Sequence, residues 1–101
     1  MLGGRSKRKK MTPDAAFDAA VAALSFLAED AERLERFLSL SGLGPHNLRQ
    51  AAADPHFLGA VLAYVGADET LLIAFAAQAG LAPEDVAAAR DTLAPERPAE
   101  P

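Results

Sequence analysis

Four prolines set the terms on which this chain folds. Pro13, Pro45, Pro55 and Pro83 each stand where a helix should begin. Proline lacks an amide hydrogen and fixes φ near about −65°, which suits the first position of a helix and breaks its interior. Thr12 and Asp54, the residues before two of them, carry side-chain oxygens that can accept from the free amides of a helix start. Asp30 and Asp68 offer the same cap without a proline, and Gly42 and Gly80 suit the left-handed residue that closes a helix. Only short helices fit between these marks. The spacing predicts six, over residues 13–28, 31–41, 45–52, 55–65, 69–79 and 83–93.

No strand-like alternation occurs, so the fold class is all-α, a compact bundle of about six short helices. Phe17, Val21, Leu24 and Ala28 line one face of the first helix, and Leu34, Phe37, Leu38 and Ser41 one face of the second. Only 6% of residues are aromatic, and the apolar half of the composition is rich in alanine. Helices should therefore pack closely around a thin core.

Sliding the chain by 38 residues lays Gly42-Leu43-Gly44-Pro45 over Gly80-Leu81-Ala82-Pro83. Leu24 then meets Leu62, Phe26 meets Tyr64, Asp30 meets Asp68, Leu34 meets Leu72 and Phe37 meets Phe75. The matched positions are structural: a capping aspartate, an apolar face, a glycine stop, a leucine that can fold back, a proline start. They imply two tandem three-helix units sharing one core, with a pseudo-two-fold relation. Arg33, Glu35 and Arg36 of the first unit become Leu71, Ile73 and Ala74 in the second. The helix over 69–79 is thus apolar nearly all round. It is expected to lie at the centre of the domain, or to leave a face for a partner around Tyr64, Leu71 and Ile73.

The folded body is expected over residues 12–93, between a disordered basic tail at 1–11 and a proline-rich disordered tail at 94–101. Arg5, Lys7, Arg8, Lys9 and Lys10 supply half of the ten basic residues, whereas all fourteen acidic residues lie beyond Met11. Such an arm can contact phosphates. Met11-Thr12-Pro13-Asp14 also reads as a chain start, which leaves open whether the arm is native. The longest apolar run, Ala19 to Ala28, is about half of what a membrane span needs. Asp14 and Asp18 precede it, against a signal peptide, so the expected location is the cytoplasm, with no membrane partner.

Candidate chemistry is sparse. There is no cysteine, which removes disulfides, thiolate metal sites and cysteine nucleophiles. His46 and His56 both follow a proline, without the spacing that would pair them with a carboxylate around a metal. Glu29-Asp30, Asp68-Glu69 and Glu84-Asp85 sit at helix starts, where capping and the helix dipole account for them. Ser25, Ser39 and Ser41 lack the motif that positions a base, and Gly42-Leu43-Gly44-Pro45 lacks the lysine of a phosphate-cradling loop. The expectation is no catalytic residue, no cofactor and no metal.

The order Leu34, Phe37-Leu38, Gly42-Leu43, Leu48-Arg49, Asp54-Pro55, Phe57-Leu58, Val61-Leu62, Asp68-Glu69, Leu71-Leu72, Phe75, Gly80-Leu81, Pro83-Glu84 resembles a small bacterial family, domain-of-unknown-function family thirty-five seventy-two. The resemblance covers about residues 14–93, rests on caps and core positions, and implies no activity, ligand or catalytic residue. Two readings of function follow from the residues themselves. One is a helical protein-interaction or adaptor module that binds another protein or a second copy of itself. The other is a nucleic-acid-associated protein using the arm Arg5 to Lys10.

Overall fold

A computed structural model describes residues 11–93, apart from the side chain of Pro45. The arm at 1–10 and the tail at 94–101 lie outside the described residues. Met11, assigned above to the first tail, is half-buried against the core. Helices run over Pro13–Ala28 (α1), Ala31–Ser41 (α2), Leu48–Ala51 (α3), Pro55–Ala67 (α4), Glu69–Ala79 (α5) and Pro83–Leu93 (α6). No strand occurs among the described residues.

The punctuation acts as its chemistry requires. The Thr12 hydroxyl oxygen accepts from the Ala15 amide at 3.1 Å. Asp30 accepts from Glu32 and Arg33 at 3.0 and 3.4 Å, and Asp68 from Thr70 and Leu71 at 2.9 and 3.2 Å. Asp54 accepts from the His56 amide at 2.9 Å. Gly42 and Gly80 close α2 and α5 with φ of 76° and 71°, a region costly for any residue with a Cβ. The next amides then fold back, Leu43 donating to Leu38 at 3.2 Å and Leu81 to Ala76 at 2.9 Å. Asp68 ends α4 as well as starting α5, and the chain turns by 113° there.

The centre of the domain is built from α1, α4 and α6, which pack on one another, with α2 and α5 laid against them. Leu58, Val61, Leu62 and Val65 of α4 are fully buried, as are Ala16, Ala20, Ala23 and Leu27 of α1. The methyl-sized face of α1 lets the neighbouring helices approach closely, and α4 supplies the bulk that fills the interior. The face read from the sequence, Phe17, Val21, Leu24 and Ala28, is therefore not the fully buried one. The Phe17 face points outward, with Phe17 43% and Val21 38% exposed.

A further expectation is corrected. The third predicted helix, 45–52, is a 3-10 turn over Pro45–Asn47 followed by one α turn. Asn47 makes no side-chain cap bond and the segment buries no residue fully. Its counterpart α6 has Asp85 accepting from the Ala82 amide at 3.0 Å and buries Val86 and Ala89. The helix α5, expected at the centre or with one face left open, keeps one face open. It buries Leu71, Phe75 and Ala76, while Ile73 is 55% exposed.

The aromatic contacts exchange between the two units. Phe26 packs on Phe75 with ring centroids 5.6 Å apart, and Tyr64 meets Phe37 edge-on at 5.1 Å. The third segments do not follow this exchange, since α6 packs on both α1 and α4 whereas 45–51 has no comparable helix neighbour. The pseudo-two-fold relation expected from the repeat is therefore not carried through the domain.

Candidate functional site

The residues that invite a chemical reading are held apart or used structurally. His46 is exposed on the 3-10 turn, and His56 is exposed at the start of α4, its Nδ1 3.7 Å from an Asp54 oxygen. Asp30, Asp68 and Asp85 spend their carboxylates on helix amides. Glu29 sits at the end of α1 rather than at a helix start, and accepts from the Gln78 amide nitrogen of α5 at 3.1 Å. The Ser41 hydroxyl donates back to the Leu38 carbonyl.

In the Gly42-Leu43-Gly44 turn a Cβ on Gly44 would lie 3.0 Å from His46 Cε1, whereas one on Gly42 would meet nothing within 4 Å. Among the described residues no group of three or more histidines and carboxylates is placed to hold a metal ion. A shallow, open depression of about 430 Å³ runs along the outer side of α2, lined by Glu32, Glu35, Arg36, Ser39 and Leu40. These five residues all come from one helix, and such a wall cannot enclose a small molecule. No single described helix is long and apolar enough to cross a membrane.

The predicted partner surface divides. Leu71 is in the core and Tyr64 is half-buried, its ring against Phe37. Ile73 alone of the three is open to solvent. The phosphate-contacting arm, Arg5, Lys7, Arg8, Lys9 and Lys10, lies outside the described residues.

The residue pattern picked out the Phe17 face of α1 but not that it points outward. Phe17 and Val21 are exposed, Leu24 is half-buried and Ala28 is exposed, one turn after another along the helix. Asp14 and Asp18 lie one turn from Phe17 and Val21 on the same side, both exposed. They are the signal that could have identified it, because a charged residue seldom sits on the buried stripe of a core helix. The result is an apolar strip with two carboxylates beside it and no basic residue anywhere on the helix.

With the geometry in hand, the comparisons are brief. A family model described as "Protein of unknown function (DUF3572)" matches residues 13–96. The chain belongs to this family. The DUF3572 match takes in all six helices, both capping aspartates of the repeat and both glycine stops, and begins beyond the basic arm. No curated protein and no solved structure matches the chain.

Proposed function

We propose that this DUF3572 domain acts by binding rather than by catalysis, as a small cytoplasmic adaptor whose docking face is the outer side of α1. The observation that supports this reading is the outward strip itself: Phe17 and Val21 are 43% and 38% exposed on a helix whose opposite side is fully buried. Aromatic side chains presented this way are the usual anchors of protein interfaces. A facing helix with its own apolar stripe covers such a strip at i, i+3, i+4 and i+7. Asp14 and Asp18 select the charge of that helix, so the partner is an amphipathic segment with lysine or arginine flanking its apolar side. Phosphate contact through Arg5 to Lys10 is the second reading; it draws chiefly on that segment, which holds five of the ten basic residues.

The test is fluorescence anisotropy with a labelled helical peptide bearing a leucine stripe flanked by lysines. The full chain is expected to bind it, and Phe17→Ser to weaken binding by about tenfold or more. Asp14→Asn with Asp18→Asn weakens it less, and Glu32→Gln with Glu35→Gln, which removes equal charge from α2, leaves it unchanged. Equal binding by Phe17→Ser, or an equal loss in the α2 double variant, would show attraction to a generally acidic surface and remove the reading.

A further inference from the structure

The third segments of the two units occupy the same place in the repeat and are held very differently. In α6, Asp85 accepts from the Ala82 amide, Val86 and Ala89 are buried, and the helix packs on α1 and α4. At the 38-residue offset Val86 becomes Leu48 and Ala89 becomes Ala51, and both of these are only half-buried. Leu48 is the one bulky apolar side chain in 44–53 that packs against the core. The backbone bonds of the segment close on the segment itself. The Asn47 amide donates to Gly44 at 3.0 Å, Ala52 to Leu48 at 2.9 Å and Ala53 to Gln50 at 3.2 Å.

We infer that residues 44–53 form a strap that opens as a unit while the rest of the domain stays folded. Local opening costs least where few apolar side chains are buried and the backbone bonds are local, and 44–53 meets both conditions. The base of the strap is fastened without it. Phe37 of α2 and Phe57 of α4 stand on either side of it in the chain, and their rings meet with centroids 5.7 Å apart. Phe37 also meets Tyr64, at 5.1 Å, so α2 and α4 keep their contact when the strap leaves. Each flanking helix has its own termination. The Gly42 and Leu43 amides close α2 on the Leu38 carbonyl, and Asp54 caps α4 through the His56 amide. The opened state is a second conformation of the domain, with Leu48 withdrawn and the core side chains it packs on uncovered. It is carried by other residues than the α1 strip and does not depend on that reading.

Limited trypsin digestion of the full chain, with the cuts assigned by mass spectrometry, tests the strap. Within residues 11–93 trypsin can cut only at Arg33, Arg36, Arg49 and Arg90. Arg36 on α2 and Arg49 in the strap are both exposed, so exposure alone favours neither. Cleavage tracks the population in which the chain around the site has opened. The first of these cuts is expected at Arg49. Leu48→Ala removes the apolar anchor of the strap and should raise the rate at Arg49 by about tenfold. Asp68→Ala weakens the whole domain through the cap of α5, and should leave that rate within about twofold of wild type, whereas a cut that needed global unfolding would speed up about fivefold. The inference is overturned if Arg36 or Arg90 is cut as fast as Arg49, if a folded Leu48→Ala is cut at the wild-type rate, or if Asp68→Ala raises the rate about fivefold. The wild-type pattern and Asp68→Ala give the answer even where Leu48→Ala fails to fold.

Discussion

Phe26 meets Phe75 across the junction of α1 and α5, with ring centroids 5.6 Å apart and the planes tilted by 52°. In the 38-residue repeat Phe26 corresponds to Tyr64 and Phe75 to Phe37, and those two also meet, at 5.1 Å. Each unit thus fastens its first helix to the second helix of the other. Arg33 adds to the first pair, its guanidinium carbon 5.0 Å from the centre of the Phe26 ring.

The cross-unit pair has a measurable coupling. Phe75 is 1% exposed, and Phe75→Ala is expected to cost about 3–5 kcal/mol in urea denaturation. A double-mutant cycle with Phe26→Leu and Phe75→Leu should return a coupling of about 0.5–1.5 kcal/mol. Strict additivity would mean that the two rings are not in contact.

The two sides of α1 should respond oppositely to added bulk. Ala20 is fully buried, and Ala20→Leu forces side chains into a filled interior at a cost of about 1–3 kcal/mol. Ala28 is exposed at the end of the outward strip, and Ala28→Leu should change stability by no more than about 0.5 kcal/mol. Thermal unfolding of both variants measures the difference.

Asp68 serves two amides at the start of α5, those of Thr70 and Leu71. Asp68→Ala should cost about 1 kcal/mol, and Asp68→Ser should recover most of it, since a hydroxyl oxygen accepts the same bond. A variant pair with no difference would mean that the cap contributes nothing to the folded state.

Gly80 separates conformation from space. A Cβ there would meet nothing within 4 Å, yet its φ is +71°. Gly80→Ala is therefore expected to cost about 1–2 kcal/mol through backbone strain alone, and Gly80→Asn less, because asparagine tolerates the left-handed region. Equal costs for the two, read by denaturation, would point to a steric cause instead.

How far the fold was legible follows from how local each signal is. Thr12, Asp30, Asp54 and Asp68 act on amides two or three residues away, so helix starts were readable without knowing the tertiary structure. The failures concern faces. Phe17-Val21-Leu24-Ala28 and Ala16-Ala20-Ala23-Leu27 are both apolar stripes of α1, and the choice between them depends on what α4 and α6 bring to the contact. The large residues Leu58, Val61, Leu62 and Val65 of α4 fill the space, which leaves room for methyl groups opposite. The same lack of context left α5 open between the centre and a position with one face exposed, because nearly every residue is apolar. Pro45 marked a real turn, but Leu48 was the only bulky apolar residue after it, too little to hold a full helix against the core.

The outward orientation of α1 and its role as a docking face meet in one substitution, Phe17→Ser, measured twice on the same sample. Its unfolding free energy is expected to stay within about 1 kcal/mol of wild type, while affinity for the lysine-flanked leucine peptide falls by about tenfold or more. A variant that unfolds, or one that stays folded and binds the peptide as wild type does, would contradict the assignment.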